Sequence, residues 1–211
     1  MGILRCITEA TPDRGRCTNE QCTCPDASDA RVIASAGPYA GESAPVVEGV
    51  ATFAHTGTAT LALRGPAAGA ILSRVERDGD VVVGRIPTDG VRRGLVAGTY
   101  QLTVSVEDGM VELAGIGLKD GELREVTLAL PDDEVDVAWR DTRDAPLPPP
   151  ETAMFVVEAP DLRATWWRSP ARVVPGATLW ACVDTGCCRF VNPGPSVTCT
   201  PDPSITPPLP R

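Results

Sequence analysis

Apolar and polar residues alternate with a period of two through much of this 211-residue chain. No window of useful length carries the i, i+3, i+4, i+7 spacing of an amphipathic helix. The clearest run is Gly98-Thr-Tyr-Gln-Leu-Thr-Val-Ser-Val106, which sets Tyr100, Leu102, Val104 and Val106 on one face of a strand. Thr58, Thr60 and Ala62 alternate with Ala59, Leu61 and Leu63 in the same way. Asp78-Gly79 stands between two apolar-containing runs and predicts a hairpin, because type I′ turns need positive φ at both central residues. Asp108-Gly109 and Asp120-Gly121 are further turn signals. Leu123, Val126, Leu128 and Leu130 form a β-rich run that Pro131 ends. Val135, Val137 and Trp139 then supply one more short strand. Strand-like runs recur about every ten residues with turns between them, the spacing of a sandwich or barrel. The fold class expected is all-β.

Breaks in this texture divide the chain. Residues 1–45 form a cysteine-rich first segment and linker, irregular to residue 30, with a linker or edge strand over 31–45. A β-sandwich is expected over 46–140. Residues 141–150 carry Pro146 and Pro148 to Pro150 and read as a stiff, extended hinge. A smaller cysteine-containing β-module follows over 151–200. The tail, 201–211, is too rich in proline for a helix or a central strand.

Four patches between residues 46 and 131 fit one known pattern. Val47-Glu48-Gly49-Val50 has the form of an opening strand, and Thr88-Asp89-Gly90 is a loose match to the polar stretch that follows it. Leu95-Val96-Ala97-Gly98-Thr99-Tyr100-Gln101-Leu102-Thr103-Val104 fits the form L-x-x-G-x-Y-x-L-x-V, and Gly121 through Leu130 fits the closing strand. On these motifs the segment resembles the transthyretin-like, carboxypeptidase-regulatory-like β-sandwich domain. The resemblance implies a binding, spacing or adhesive module with no catalytic residues. Within it, Gly98 is expected to hold a positive-φ turn into the strand.

Composition narrows the function classes. A net charge of −9 removes the electrostatic drive for nucleic-acid binding. No stretch approaches 18 uninterrupted apolar residues, so no transmembrane helix is expected. The start, Met1 to Cys6, lacks the apolar core of a signal peptide. The cysteines point the other way. Cys6, Cys17, Cys22 and Cys24 open the chain, Cys182, Cys187, Cys188 and Cys199 close it, and none lies between. Even-numbered, clustered cysteines favour disulfides in an oxidising compartment. Sulfurs from the two ends are expected to meet and fasten the strand-built middle. The adjacent pair Cys187-Cys188 is expected to bond to two different partners. Zinc on these cysteines is the competing reading, although C-x-C and C-C are poor zinc spacings. Otherwise no cofactor is expected.

Other candidate chemistry is thin. His55 is the single histidine, and no G-x-S-x-G, H-E-x-x-H or G-x-x-x-x-G-K-[ST] motif is present. Lys119 is the single lysine and lies beside a turn. Asp132, Asp133, Glu134 and Asp136 form an acidic stretch, read as a solvated turn rather than a calcium loop. Trp166-Trp167, flanked by Arg163 and Arg168, is the strongest partner-binding candidate. In a strand one Trp of such a pair is buried and the other exposed, free to stack on a sugar or a protein; the plainer reading buries both in this aromatic-poor chain. Pro207-Pro-Leu-Pro-Arg211 has a PxxP form, and an extended tail lying along a neighbouring subunit is another reading. The function expected is a non-enzymatic structural or binding scaffold, extracellular, periplasmic or on a cell or virion surface. It would contact protein partners or copies of itself through its termini. The alternatives are a subunit of a large extracellular assembly, such as a virion decoration or fibre protein, and a cysteine-dependent enzyme using His55.

Overall fold

The computed structural model describes residues 4–7, 16–18, 21–23, 31–34, 43–47, 50–53, 56–65, 69–76 and 79–208. Among them there is no helix, and the protein is all-β. The early strands are β1 (Leu4–Ile7), β2 (Arg16–Thr18), β3 (Gln21–Thr23), β4 (Arg31–Ala34), β5 (Ser43–Val47) and β6 (Val50–Thr52). Next come β7 (Ala59–Arg64), β8 (Ile71–Glu76), β9 (Gly79–Arg85), β10 (Val91–Leu95), β11 (Gly98–Val106), β12 (Gly109–Leu118) and β13 (Leu123–Thr127). Then follow β14 (Asp133–Arg140), β15 (Pro146–Leu147), β16 (Met154–Glu158), β17 (Leu162–Trp166) and β18 (Ala171–Val173). The last are β19 (Thr178–Val183), β20 (Gly186–Val191) and β21 (Ser196–Cys199).

The chain divides into two compact units. One comprises residues 1–103 and 114–128, the other residues 104–113 and 129–211. The hairpin β11–β12 is shared, its base in the first unit and its tip in the second.

In the first unit β1 to β6 form a sheet of order β1-β4-β5-β6-β3-β2. The segment expected to be irregular therefore contains three short strands. A three-stranded sheet runs β10-β7-β13, and β11, β8 and β9 pair in that order. The predicted alternation holds on β7, where Ala59, Leu61 and Leu63 are buried, and on β11, where Tyr100, Leu102 and Val104 are. β8 and β9 pair as a hairpin, as expected, but Gly79 is a strand residue opposite Glu76 rather than a turn centre, and Asp78 lies outside the described residues. Asp120-Gly121 is a turn but makes no hairpin. β13 leaves it to pair in parallel with β7, and the Gly121 amide donates to Thr58 Oγ1 at 2.8 Å. Gly98 is corrected: it lies outside the left-handed region, which Gly94 (φ 72°) occupies instead. A Cβ on Gly98 would meet the Arg74 guanidinium, 2.8 Å from Nε. The Tyr100 hydroxyl donates to the Val96 carbonyl four residues upstream and locks the start of β11. This arrangement resembles a tyrosine corner.

In the second unit two sheets face one another. The larger pairs β12 (at the hairpin tip), β17, β16, β19 and β20 in that order. The smaller is built on β14, which pairs antiparallel with β15 and β18 and parallel with β21. Val135, Val137 and Trp139 of β14 are buried as their spacing requires. The sequence sets this strand before the proline hinge with the 46–140 domain, whereas its partners are all downstream. The proline run is no boundary either: Pro146 and Leu147 fold back onto Arg140 and Trp139. Trp139 and Phe155 meet between the sheets with ring centroids 6.3 Å apart, tilted by 53°, a favourable aromatic geometry.

β16 and β19 are buried almost without alternation. Such strands are covered on both faces. Phe155, Val157, Leu179 and Ala181 share the inner face. Val156, Trp180, Cys182 and Cys187 make a small outer cluster, against which Met154 and Ile205 pack.

Candidate functional site

The cysteines of β19 and β20 show how the period of two directs chemistry. Neighbours on a strand point to opposite faces. Cys187 faces outward and bonds to Cys182, its direct cross-strand partner, with Cα atoms 4.1 Å apart. Cys188 faces inward and bonds to Cys199 at the end of β21, Cα to Cα 5.6 Å. Cys199 lies opposite Trp139 in register, so this bond joins the two sheets beside the Trp139–Phe155 contact. Cys187-Cys188 thus has two partners, as expected. The wider expectation is corrected. The four C-terminal cysteines bond among themselves, so none remains to tie the first segment to the last, and none is a free thiolate for zinc. In the first segment Cys17 and Cys22 are opposite in register and Cys6 is opposite Val32. Their side chains, Cys24 and His55 lie outside the described residues.

Residues 201–208 run over the outer face as a strap. Cys182 and Cys187 form a close antiparallel pair whose backbone groups point away from each other. The outward groups of Cys187 are met by Asp202: the Cys187 amide donates to its carbonyl at 3.1 Å, and the Asp202 amide returns the bond at 3.0 Å. Gly186 is required beneath it, since a Cβ there would lie 2.4 Å from the Asp202 carbonyl carbon and its φ is 142°. Asp202 Oδ1 accepts the Ser204 hydroxyl at 2.7 Å and the Ser204 amide at 2.8 Å. These two bonds, the hydroxyl's first, hold its carboxyl below the ordinary aspartate range against a smaller opposing effect of burial. Ile205 then seats on the outer cluster, and Arg163 Nη2 donates to the Pro208 carbonyl at 2.6 Å. The strap thus lies on its own unit. The sequence signal for it was Asp202-Pro-Ser204, an Asx-turn signature; the register of Cys187 was not legible.

Arg163 is half-buried on β17, with Glu112 on one side and Glu158 on the other as its register partners. Trp166, the last residue of β17, is buried and donates from Nε1 to the Arg172 carbonyl at 2.8 Å. The Arg172 guanidinium lies 5.9 Å from its ring centroid. Trp167 is past the strand end and 52% exposed, so burial of both indoles is corrected. The Trp167 amide donates to the Asp108 carbonyl at 2.9 Å, and Arg168 Nη1 lies 3.1 Å from Asp108 Oδ1. The structure therefore places Trp167 and Arg168 together at the tip of the β11–β12 hairpin. Trp166 is a core residue, and Arg163 holds the strap.

The acidic stretch is solvated. Asp132, Asp133, Glu134 and Asp136 are exposed around buried Val135, and Glu134 is 3.8 Å from Arg172. Asp133 and Glu134 rim a cleft of about 310 Å³ that is walled by Val173, Pro175, Pro193 and Pro195. Among the described residues no three His, Cys, Asp or Glu side chains could hold a metal ion. No helix among them is long and apolar enough to cross a membrane. Lys119 is exposed.

No protein-family model matches the sequence, nor does any curated protein sequence. Among solved structures, one titled "The Bacillus anthracis TIE protein" is similar over 95% of this chain and 47% of its own, at 11% identity and a TM-score of 0.25. The chain spans less than half the length of that protein.

Proposed function

We propose that this chain is a non-catalytic β-scaffold, exported or displayed at a surface, that contacts protein partners or copies of itself. The observation that carries the reading is an exposed Trp167 beside the Arg168–Asp108 pair, on a unit whose sheets are joined by Cys188–Cys199. An indole presented on a rigid body buries contact area at little entropic cost. The adjacent ion pair offers one donor and one acceptor without net charge. A carbohydrate, with an apolar ring face and hydroxyl edges, suits the same surface. Disulfides persist in oxidising compartments, which supports placement outside the cytosol. A transthyretin-like module over 46–131 fits the reading, and the Tyr100–Val96 bond within the L-x-x-G-x-Y motif supports it.

Sedimentation velocity of the oxidised chain over a wide concentration range tests the reading, with Trp167→Ala alongside. Association that weakens tenfold or more in Trp167→Ala is expected. A chain that stays monomeric and ignores both protein and glycan arrays would overturn it.

A further inference from the structure

We propose that residues 196–208, β21 with the strap behind it, are an arm that exchanges between copies of this chain, a second copy's arm filling the same groove. The inference rests on reading the chain as a self-associating scaffold.

The arm's docking contacts run between it and the body, while the bonds from Ser204 and Ile205 to Asp202 are internal and travel with it. β21 lies in parallel register on β14 from Asp136–Ser196 to Trp139–Cys199. Asp202 meets the outward backbone of Cys187, Ile205 fills the outer cluster, and Arg163 holds the Pro208 carbonyl. None depends on the arm belonging to the same chain, so an arm from a second copy satisfies each equally. A body without an arm leaves Cys187 backbone groups and an apolar cluster uncovered, and that sets the demand for an occupant.

The connection favours exchange. The body ends where the Asn192 amide donates to Ala177, and the arm begins where the Asp136 amide donates to Pro195. Only Pro193 and Gly194 lie between these anchors. Short hinges of this kind invite swapping. Pro193 and Pro195 prefer extended backbone. Asn192 holds φ at 48°, a left-handed conformation that asparagine tolerates better than most residues, so the bend before the hinge is set by one residue.

Cys188–Cys199 decides which state persists. Among the described residues it is the one disulfide joining body to arm, whereas Cys182–Cys187 lies wholly on the body. A low-molecular-weight thiolate attacks one sulfur of Cys188–Cys199, forming a mixed disulfide and freeing the other as thiolate. After exchange, the freed thiolate of one copy attacks the mixed disulfide of the other and expels the small thiol. Two intramolecular S–S bonds are replaced by two intermolecular ones, with no net oxidation and the thiol regenerated.

The test mixes equal amounts of ¹⁵N-labelled and unlabelled full chain at high concentration in a glutathione thiol/disulfide buffer, then traps by alkylation. Expected are a covalent dimer of twice the mass and mixed isotopes in about half of its Cys188–Cys199 linked peptides, as random pairing requires. The Cys182–Cys187 peptides stay unmixed. Ile205→Asp, and separately a four-residue Gly-Ser insertion after Gly194, are each expected to lower the dimer yield at least tenfold. Linked Cys188–Cys199 peptides that never mix isotopes overturn the exchange, as does a lengthened hinge that dimerises like the parent. If isotopes stay unmixed while Trp167-dependent association persists, the exchange falls and the scaffold reading stands. No association of any kind overturns both.

Discussion

Gly109 lies directly beneath the indole of Trp166: a Cβ on Gly109 would sit 2.3 Å from Trp166 Cε3 and 2.7 Å from the Thr165 carbonyl oxygen. The two residues are also register partners between β12 and β17. This glycine is therefore there for packing. The positive φ of the preceding turn falls on Asp108, at 59°. Gly109→Ala is expected to force Trp166 or its strand aside and to destabilise the second unit by about 1–3 kcal/mol, the usual range for overpacking. Thermal denaturation followed by tryptophan fluorescence checks it, and an unchanged midpoint would show that the indole does not rest there.

The two C-terminal disulfides close loops of different length, with sequence separations of 5 and 11. Loop entropy assigns about 2 kcal/mol to Cys182–Cys187 and about 3 kcal/mol to Cys188–Cys199. Cys188→Ala with Cys199→Ala should cost more still, because both side chains are buried between the sheets. Urea denaturation of the two double variants gives the order directly; the reverse order would contradict a covalent link between sheets.

Acid should release the strap only at low pH. The folded pKa of Asp202 lies below the ordinary aspartate value of 3.8. Its contribution is thus fully present above that value and is lost as pH falls through the lower folded pKa. Hydrogen exchange at the Cys187 amide reads the docking, since that amide donates to the Asp202 carbonyl. Protection should be level from pH 7 to pH 5 once intrinsic rates are removed, then drop below about pH 4. Asp202→Asn should flatten that drop.

Gly98→Val distinguishes two roles for one glycine. Were the residue in the left-handed region, a β-branched side chain would be strongly penalised. The described backbone is an ordinary strand start, and the nearest obstacle is the movable end of Arg74. A change in stability under about 1 kcal/mol is expected by chemical denaturation.

Local rules carried much of the fold. Tyr100, Leu102 and Val104, like Val135, Val137 and Trp139, are buried because a strand repeats every two residues. The same rule explains why Cys187 and Cys188 have separate partners. What sequence could not supply was non-local. β13 on β7 and β21 on β14 are parallel pairs whose partners are about 60 residues apart in sequence. No turn residue announces such a pairing. For that reason the sequence groups β14 with upstream strands and reads the proline run as a boundary, whereas among the described residues β14 pairs only with β15, β18 and β21. Of the site, burial of Trp166 follows from strand alternation, whereas Trp167 is exposed because it lies past the end of β17, where the plainer sequence reading buries it. The strap did not, because its docking depends on which backbone groups of Cys187 point away from Cys182.

The strap has a consequence for biosynthesis. The cluster of Val156, Trp180, Cys182 and Cys187 is in place once β20, which ends at Val191, has left the ribosome, but Ile205 and Pro208 emerge 14 and 17 residues later. At about 5–20 residues per second that leaves roughly one to three seconds with an uncovered apolar face. During translation this is the surface on which a nascent chain is open to chaperones, or to a neighbouring chain on the same message.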